Sequence, residues 1–167
     1  MNKFRIFFWS ILILLLQILL FNNINFSQHI NPYVYIAFIF IFPLNKNRFV
    51  FLFIAFTYGL TLDLFSDTGG IHAASLLFVG FLRLSFIKLF FKKNTIDYLL
   101  FNLHSEAFGQ VFNYVVTLTV IHHFILLSLD NFSFHNIETV LLNTLYSSTF
   151  TLLLYFLGSY ILRKKIT

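Results

Sequence analysis

The chain has 167 residues, of which 59% are apolar and 10% charged, with a net charge of +5, 26 phenylalanines and no cysteine. A soluble domain carries about a quarter charged residues. The low charge and a mean hydropathy of +0.85 therefore exclude an ordinary soluble domain and point to a single all-α, polytopic membrane domain over residues 1–167. The absent cysteines exclude disulfide and thiol chemistry, and the basic residues flank apolar runs, where they read as cytoplasmic anchors, not a nucleic-acid patch.

Lys3 and Arg5 precede an apolar run, 6–21, interrupted only by Ser10 and Gln17. A signal peptide begins this way, but no small-x-small cleavage pattern follows, so the expectation is a retained first span. Gln17 can hydrogen-bond across helices or simply pack inward. Asn31-Pro32 reads as a helix start, with Asn as cap and Pro in the first helical position, opening a second span at 32–44. That run rises about 20 Å against a hydrocarbon core of about 30 Å. It must recruit flanking residues, lie shielded by neighbours, or cross where the bilayer thins. Pro43 ends or kinks it.

Lys46 and Arg48 make a basic loop before a third span at 49–65, and a fourth at 71–90 is followed by Lys92 and Lys93. Asn94-Thr95-Ile96-Asp97 looks like another helix start. The stretch from there to Leu129 exceeds one span, so it divides into an interfacial amphipathic helix at 95–105 and a fifth span at 108–127. A polar loop at 130–136 leads to the sixth span, 137–162, and to Arg163-Lys164-Lys165. With the N-terminus cytoplasmic, every Lys and Arg except Arg83 falls on the cytoplasmic side, as the positive-inside rule requires. Arg83 lies in the cytoplasmic half of the fourth span, where it can snorkel. The expectation is six transmembrane helices with both termini inside.

Chemistry concentrates in the stretch from Gly59 to Arg83. Ala55, Gly59 and Asp63 recur at spacings of four and share one helix face, where small residues admit a close neighbour. A carboxylate at the depth of Asp63 is costly unless satisfied. It also sits in the last turn of its helix, where the macrodipole disfavours it. No outer Lys or Arg can pair with it. The nearest donors in sequence are the free amides at the start of the next helix, Gly69 to His72, and the His72 ring. A carboxylate clasping the helical hairpin is the favoured reading, ahead of an ion-transport or catalytic role.

Asp67-Thr68-Gly69 matches the tripeptide around an aspartic-protease nucleophile, but that chemistry needs two carboxylates sharing a proton. Glu106, Gln110, Asn113 and Thr117 form a polar stripe on the fifth helix; Asn143, Ser147, Thr151, Tyr155 and Gly158 form another on the sixth. Both are expected to face the bundle interior as packing, or less often to line a solute path or a partner helix. His122 and His123 point about 100° apart and cannot easily share a metal. No catalytic, cofactor or metal residue is assigned.

The run Gly59-Leu-Thr-Leu-Asp63-Leu-Phe-Ser-Asp67-Thr-Gly-Gly70-Ile-His72-Ala, continuing to Arg83, resembles MreD, the rod shape-determining membrane protein family of bacteria. Gln17, Asn31-Pro32-Tyr33, Pro43 and the basic tail also match. The similarity extends over nearly the whole chain, although only the hairpin is specific. The resemblance implies a non-enzymatic component of the elongation machinery in the bacterial inner membrane. Its implied partners are MreC, the actin-like MreB, and RodA with its transpeptidase. It also implies a fold similar to the substrate-binding components of energy-coupling-factor transporters. A small-solute binding or transport component is the alternative, and a membrane-embedded hydrolase, lacking a second catalytic group, comes third.

Overall fold

A computed structural model describes residues 3–23, 31–44, 47–92, 103–131 and 136–164, all helix, turn or loop with no strand among them. Helix α1 (Lys3–Leu16) passes into a π-helical turn, Gln17–Phe21. A short central segment follows, a 3-10 turn (Val34–Ile36) continued by α2 (Ala37–Ile41). Four long helices complete the bundle: α3 (Arg48–Ser66), α4 (Ile71–Phe91), α5 (Phe108–Asn131) and α6 (Ile137–Lys164). Among the described residues five helices are long and apolar enough to cross a membrane: Phe4–Phe21, Arg48–Ser66, Ile71–Phe91, Phe108–Asn131 and Ile137–Ile161. Phenylalanines cover much of the outside, with Phe4 at 80% and Phe49 at 82% exposure, as a lipid-facing surface permits.

The second expected span is the element that differs. Its helical part is a three-residue turn plus a five-residue helix, a rise of roughly 13 Å. Instead of facing lipid it is the core, with Tyr35, Ile36, Phe38 and Ile39 at most 2% exposed. Of the three ways a short run can be accommodated, shielding by neighbours is the one used. The helix starts at Val34, two residues after Pro32, and Tyr33 lacks a side-chain cap. Asn31 and Pro32 stay outside the helix, where Ser147 and Gln17 satisfy their backbone groups. Pro43 does stop it: Phe42, the residue before the proline, turns to ψ 132°.

Side-chain contacts fix the helix directions. Tyr58 of α3 donates to the Ser10 carbonyl of α1, and Asn22 donates to Ser66, so α1 and α3 run parallel. Asp63 meets His72 while Arg83 lies over Phe51, so α4 runs back along α3. Tyr114 packs on Phe91 and His123 on Tyr33, which orients α5 antiparallel to α4. The His123–Thr151 and Phe108–Phe156 contacts turn α6 antiparallel to α5. One end of the bundle thus collects the starts of α1, α3 and α5 and the ends of α4 and α6. Those termini carry Lys3, Arg5, Arg48, Lys88, Lys92, Arg163 and Lys164. The opposite end carries Asp63, Asp67, Asp130 and Glu138. Residues 93–102, most of the expected interfacial helix, lie outside the described residues; only Leu103–Ser105 of it is seen, as a 3-10 turn.

The α3–α4 hairpin is closed by Gly59. A methyl group at this position would lie 2.5 Å from the Ala73 Cα and 2.8 Å from both the Ala73 nitrogen and the His72 carbonyl oxygen. Those are backbone atoms, which cannot rotate away. Ala55, one turn earlier, is fully buried against the same helix. We expect Gly59→Ala to lower the melting temperature of the detergent-solubilised protein, since overpacking costs about 1–3 kcal/mol. Gly158, with nothing within 4 Å of its added methyl, should accept alanine with no loss; thermal scans of the two variants side by side check this.

Candidate functional site

Asp63 comes from the last turn of α3 and is 5% exposed. Its Oδ1 accepts the His72 amide at 3.0 Å and the Thr68 hydroxyl at 2.8 Å, and its Oδ2 accepts the Ala73 amide at 2.9 Å. The His72 Nδ1 is 3.0 Å from Oδ1 and 2.9 Å from the Thr68 hydroxyl oxygen. Because that hydroxyl donates to Asp63, Nδ1 must carry the hydrogen whichever oxygen it faces. The carboxylate therefore collects the free amides of the first turn of α4, a helix whose own N-cap, Gly70, offers no side chain. The positive end of the α4 dipole offsets the unfavourable negative end of α3. Of the donors expected from the sequence, the His72 amide and ring are used; Ala73 supplies the other amide, in place of Gly69, Gly70 and Ile71.

The turn explains its own residues. Asp67 ends α3 in the left-handed region with φ 53°, its amide returning to the Asp63 carbonyl. Gly70 sits at φ 96°, a conformation glycine adopts without a steric penalty. Thr68 accepts the Gly70 amide through its carbonyl. Gly69 has open space around it. Asp67 is exposed and ends α3, so the protease-like tripeptide is a helix terminus.

Around the clasp lies a polar centre that sequence reasoning missed. His122 and His123 are both fully buried. His123 uses both ring nitrogens, 2.8 Å from the Thr119 carbonyl and 3.0 Å from the Thr151 hydroxyl. Tyr33 packs edge-on against His72 and His123, and Tyr35 packs edge-on against His122 and at a tilt against His72. The signal available was the Tyr33-x-Tyr35 pair and the adjacent histidines; nothing in the sequence brought them together.

The same helices satisfy the irregular ends of the central segment. Gln17, 1% exposed, donates to the Pro32 carbonyl at 3.1 Å and accepts the Tyr35 amide at 3.4 Å. Ser147 and Thr151 take the Asn31 and Tyr33 amides at 3.3 and 3.0 Å. At the other end Arg83 donates to the Phe42 carbonyl and lies 4.8 Å from the centre of the Phe51 ring. Arg83 is 4% exposed, so it does not snorkel. The carbonyl freed where α2 stops draws it inward.

The α6 stripe faces the interior as expected, with Ser147 and Thr151 buried and Asn143 half-buried. The α5 stripe does not. Asn113 is exposed and Glu106, Gln110 and Thr117 are only partly covered, because the packed face is Tyr114, Leu118, Thr119, His122 and His123. Among the described residues no group of three His, Cys, Asp or Glu is placed to hold a metal. Chemically, the arrangement caps a helix end and locks two helices together. No protein-family profile, no curated protein and no solved structure matches this chain.

Removing the clasp has a graded outcome. Asp63→Leu strands buried donors at about 1–3 kcal/mol and should loosen the hairpin. Asp63→Asn keeps one acceptor oxygen but turns an NH2 toward a donor, so an intermediate loss is expected. Melting temperatures at matched detergent should rank wild type, Asn, Leu; equal loss in both variants would show instead that the negative charge itself is required.

Proposed function

We propose that this protein is a non-enzymatic scaffold of the bacterial cell-elongation machinery, a multi-pass protein of the inner membrane that binds MreC. MreB and RodA with its transpeptidase are its further partners, and maintenance of rod shape and lateral peptidoglycan synthesis is the outcome. The observation that carries the reading is the Gly59–Arg83 hairpin. It has the residues by which the chain resembles MreD, and it is built as a rigid clasped pair, with Asp63 on the His72 and Ala73 amides. Five apolar helices and a separation of basic from acidic ends support the membrane setting. In this reading the basic end is cytoplasmic, and the central segment completes a six-crossing topology similar to energy-coupling-factor substrate-binding components. The α5 face bearing Gln110 and Asn113, polar and incompletely covered, is where a partner's transmembrane helix docks.

A second reading, small-solute binding or transport, is favoured by one feature: the cluster of half-buried Tyr33 with buried Tyr35, His72 and His122 in the acidic half of the bundle. The two separate experimentally. Under the scaffold reading, MreC co-purifies with the tagged chain in mild detergent, and Asn113→Leu reduces its yield several-fold without changing expression. Undiminished capture by that variant removes the docking face. Failure to capture MreC with wild type removes the scaffold reading.

A further inference from the structure

In the middle of the bundle three polar atoms have no partner among the described residues: Nδ1 and Nε2 of His122 and the hydroxyl of Tyr35. Both residues are at 0% exposure, and their rings meet edge-on with centroids 5.1 Å apart. Neutral imidazole offers one donor and one acceptor, and the tyrosine hydroxyl offers both. Groups of this kind at membrane depth are strongly disfavoured without a hydrogen-bonding partner. The two nitrogens of His123 are held by Thr119 and Thr151, and the His72 Nδ1 belongs to the Asp63 clasp.

We propose that His122 and Tyr35 form an internal hydration site, in which ordered water joins the tyrosine hydroxyl to the imidazole and ties α5 to the central segment. The ligand class follows from the lining. A metal ion needs three or more converging donors, and no such group exists among the described residues. A larger solute is disfavoured because both side chains are sealed from outside. Water needs only a small polar space and two or more hydrogen-bonding partners, and this pair supplies the partners. Nearer the acidic end, the Asn31 Oδ1 and the Ser128 hydroxyl are also buried without a partner among the described residues, so the polar requirement continues toward that face. The inference is independent of the scaffold reading, because it concerns only what fills the core.

The test uses the full-length chain, labelled with nitrogen-15 histidine, in deuterated lipid. Magnetisation transfer from water to the His122 ring proton is expected, and it should weaken at least threefold in Tyr35→Phe, which removes one oxygen and nothing else. Thermal unfolding supplies the second readout. A bridged histidine makes His122→Phe less stable, by about 2–4 °C or more, and the double variant no worse than the poorer single one. A dry site gives the opposite sign, because phenylalanine would relieve two stranded nitrogens. An absent water transfer, a raised melting temperature for His122→Phe, or a ring signal that shifts only on adding glycerol as a solute probe would each overturn the proposal.

Discussion

The Asp63 carboxylate on the first-turn amides of α4 is the interaction on which the rest of the bundle depends. Two long helices joined by a four-residue turn leave free amides at one helix start, and lipid offers them nothing. Water would satisfy them in a soluble protein. Here the preceding helix supplies an acceptor with two oxygens, and the His72 ring and Thr68 hydroxyl complete its shell. The geometry requires the helices to touch, which Gly59 permits by admitting the Ala73 backbone. Cap and close approach are therefore one device, and neither works without the other.

The same rule organises the core. The central segment is irregular at 31–33 and again at Phe42, and irregular backbone survives at membrane depth only when protein surrounds it. Gln17, Ser147, Thr151 and Arg83 are the polar residues that would look misplaced in apolar helices, and each one serves this segment's backbone. The π-helical turn beginning at Gln17 lies where α1 meets the segment. Polar side chains from α1, α4 and α6 thus hold a short element that could not bury its own ends.

How much of this the sequence disclosed depends on the range of the interaction. Asp63, Gly59 and His72 are close in the chain, so depth, spacing and the lack of outer cations were enough to single out the amides after the turn. The four long helices were legible from apolar runs between basic ends. Long-range pairings were not. In a membrane helix lipid accepts any apolar face, so hydrophobic periodicity does not say which side packs; the α5 stripe at Asn113 therefore looked inward and is not. Arg83 was expected to reach for water because nothing local revealed the Phe42 carbonyl. The buried histidines looked scattered because their partners, Tyr33, Tyr35 and Thr151, are distant in sequence. The short second run left three options open, and only packing against the neighbouring helices selects among them.

A side chain rather than solvent caps the start of α4. Hydrogen exchange at two backbone amides reads that out directly. First-turn amides of a helix ordinarily exchange fast, lacking an intrahelical acceptor. The His72 and Ala73 amides are expected to exchange as slowly as those near Gly80 in the helix interior, and Asp63→Leu should abolish the protection at those two positions alone. Fast exchange at His72 and Ala73 in the wild-type protein, or protection that survives the loss of the carboxylate, would contradict a clasped hairpin.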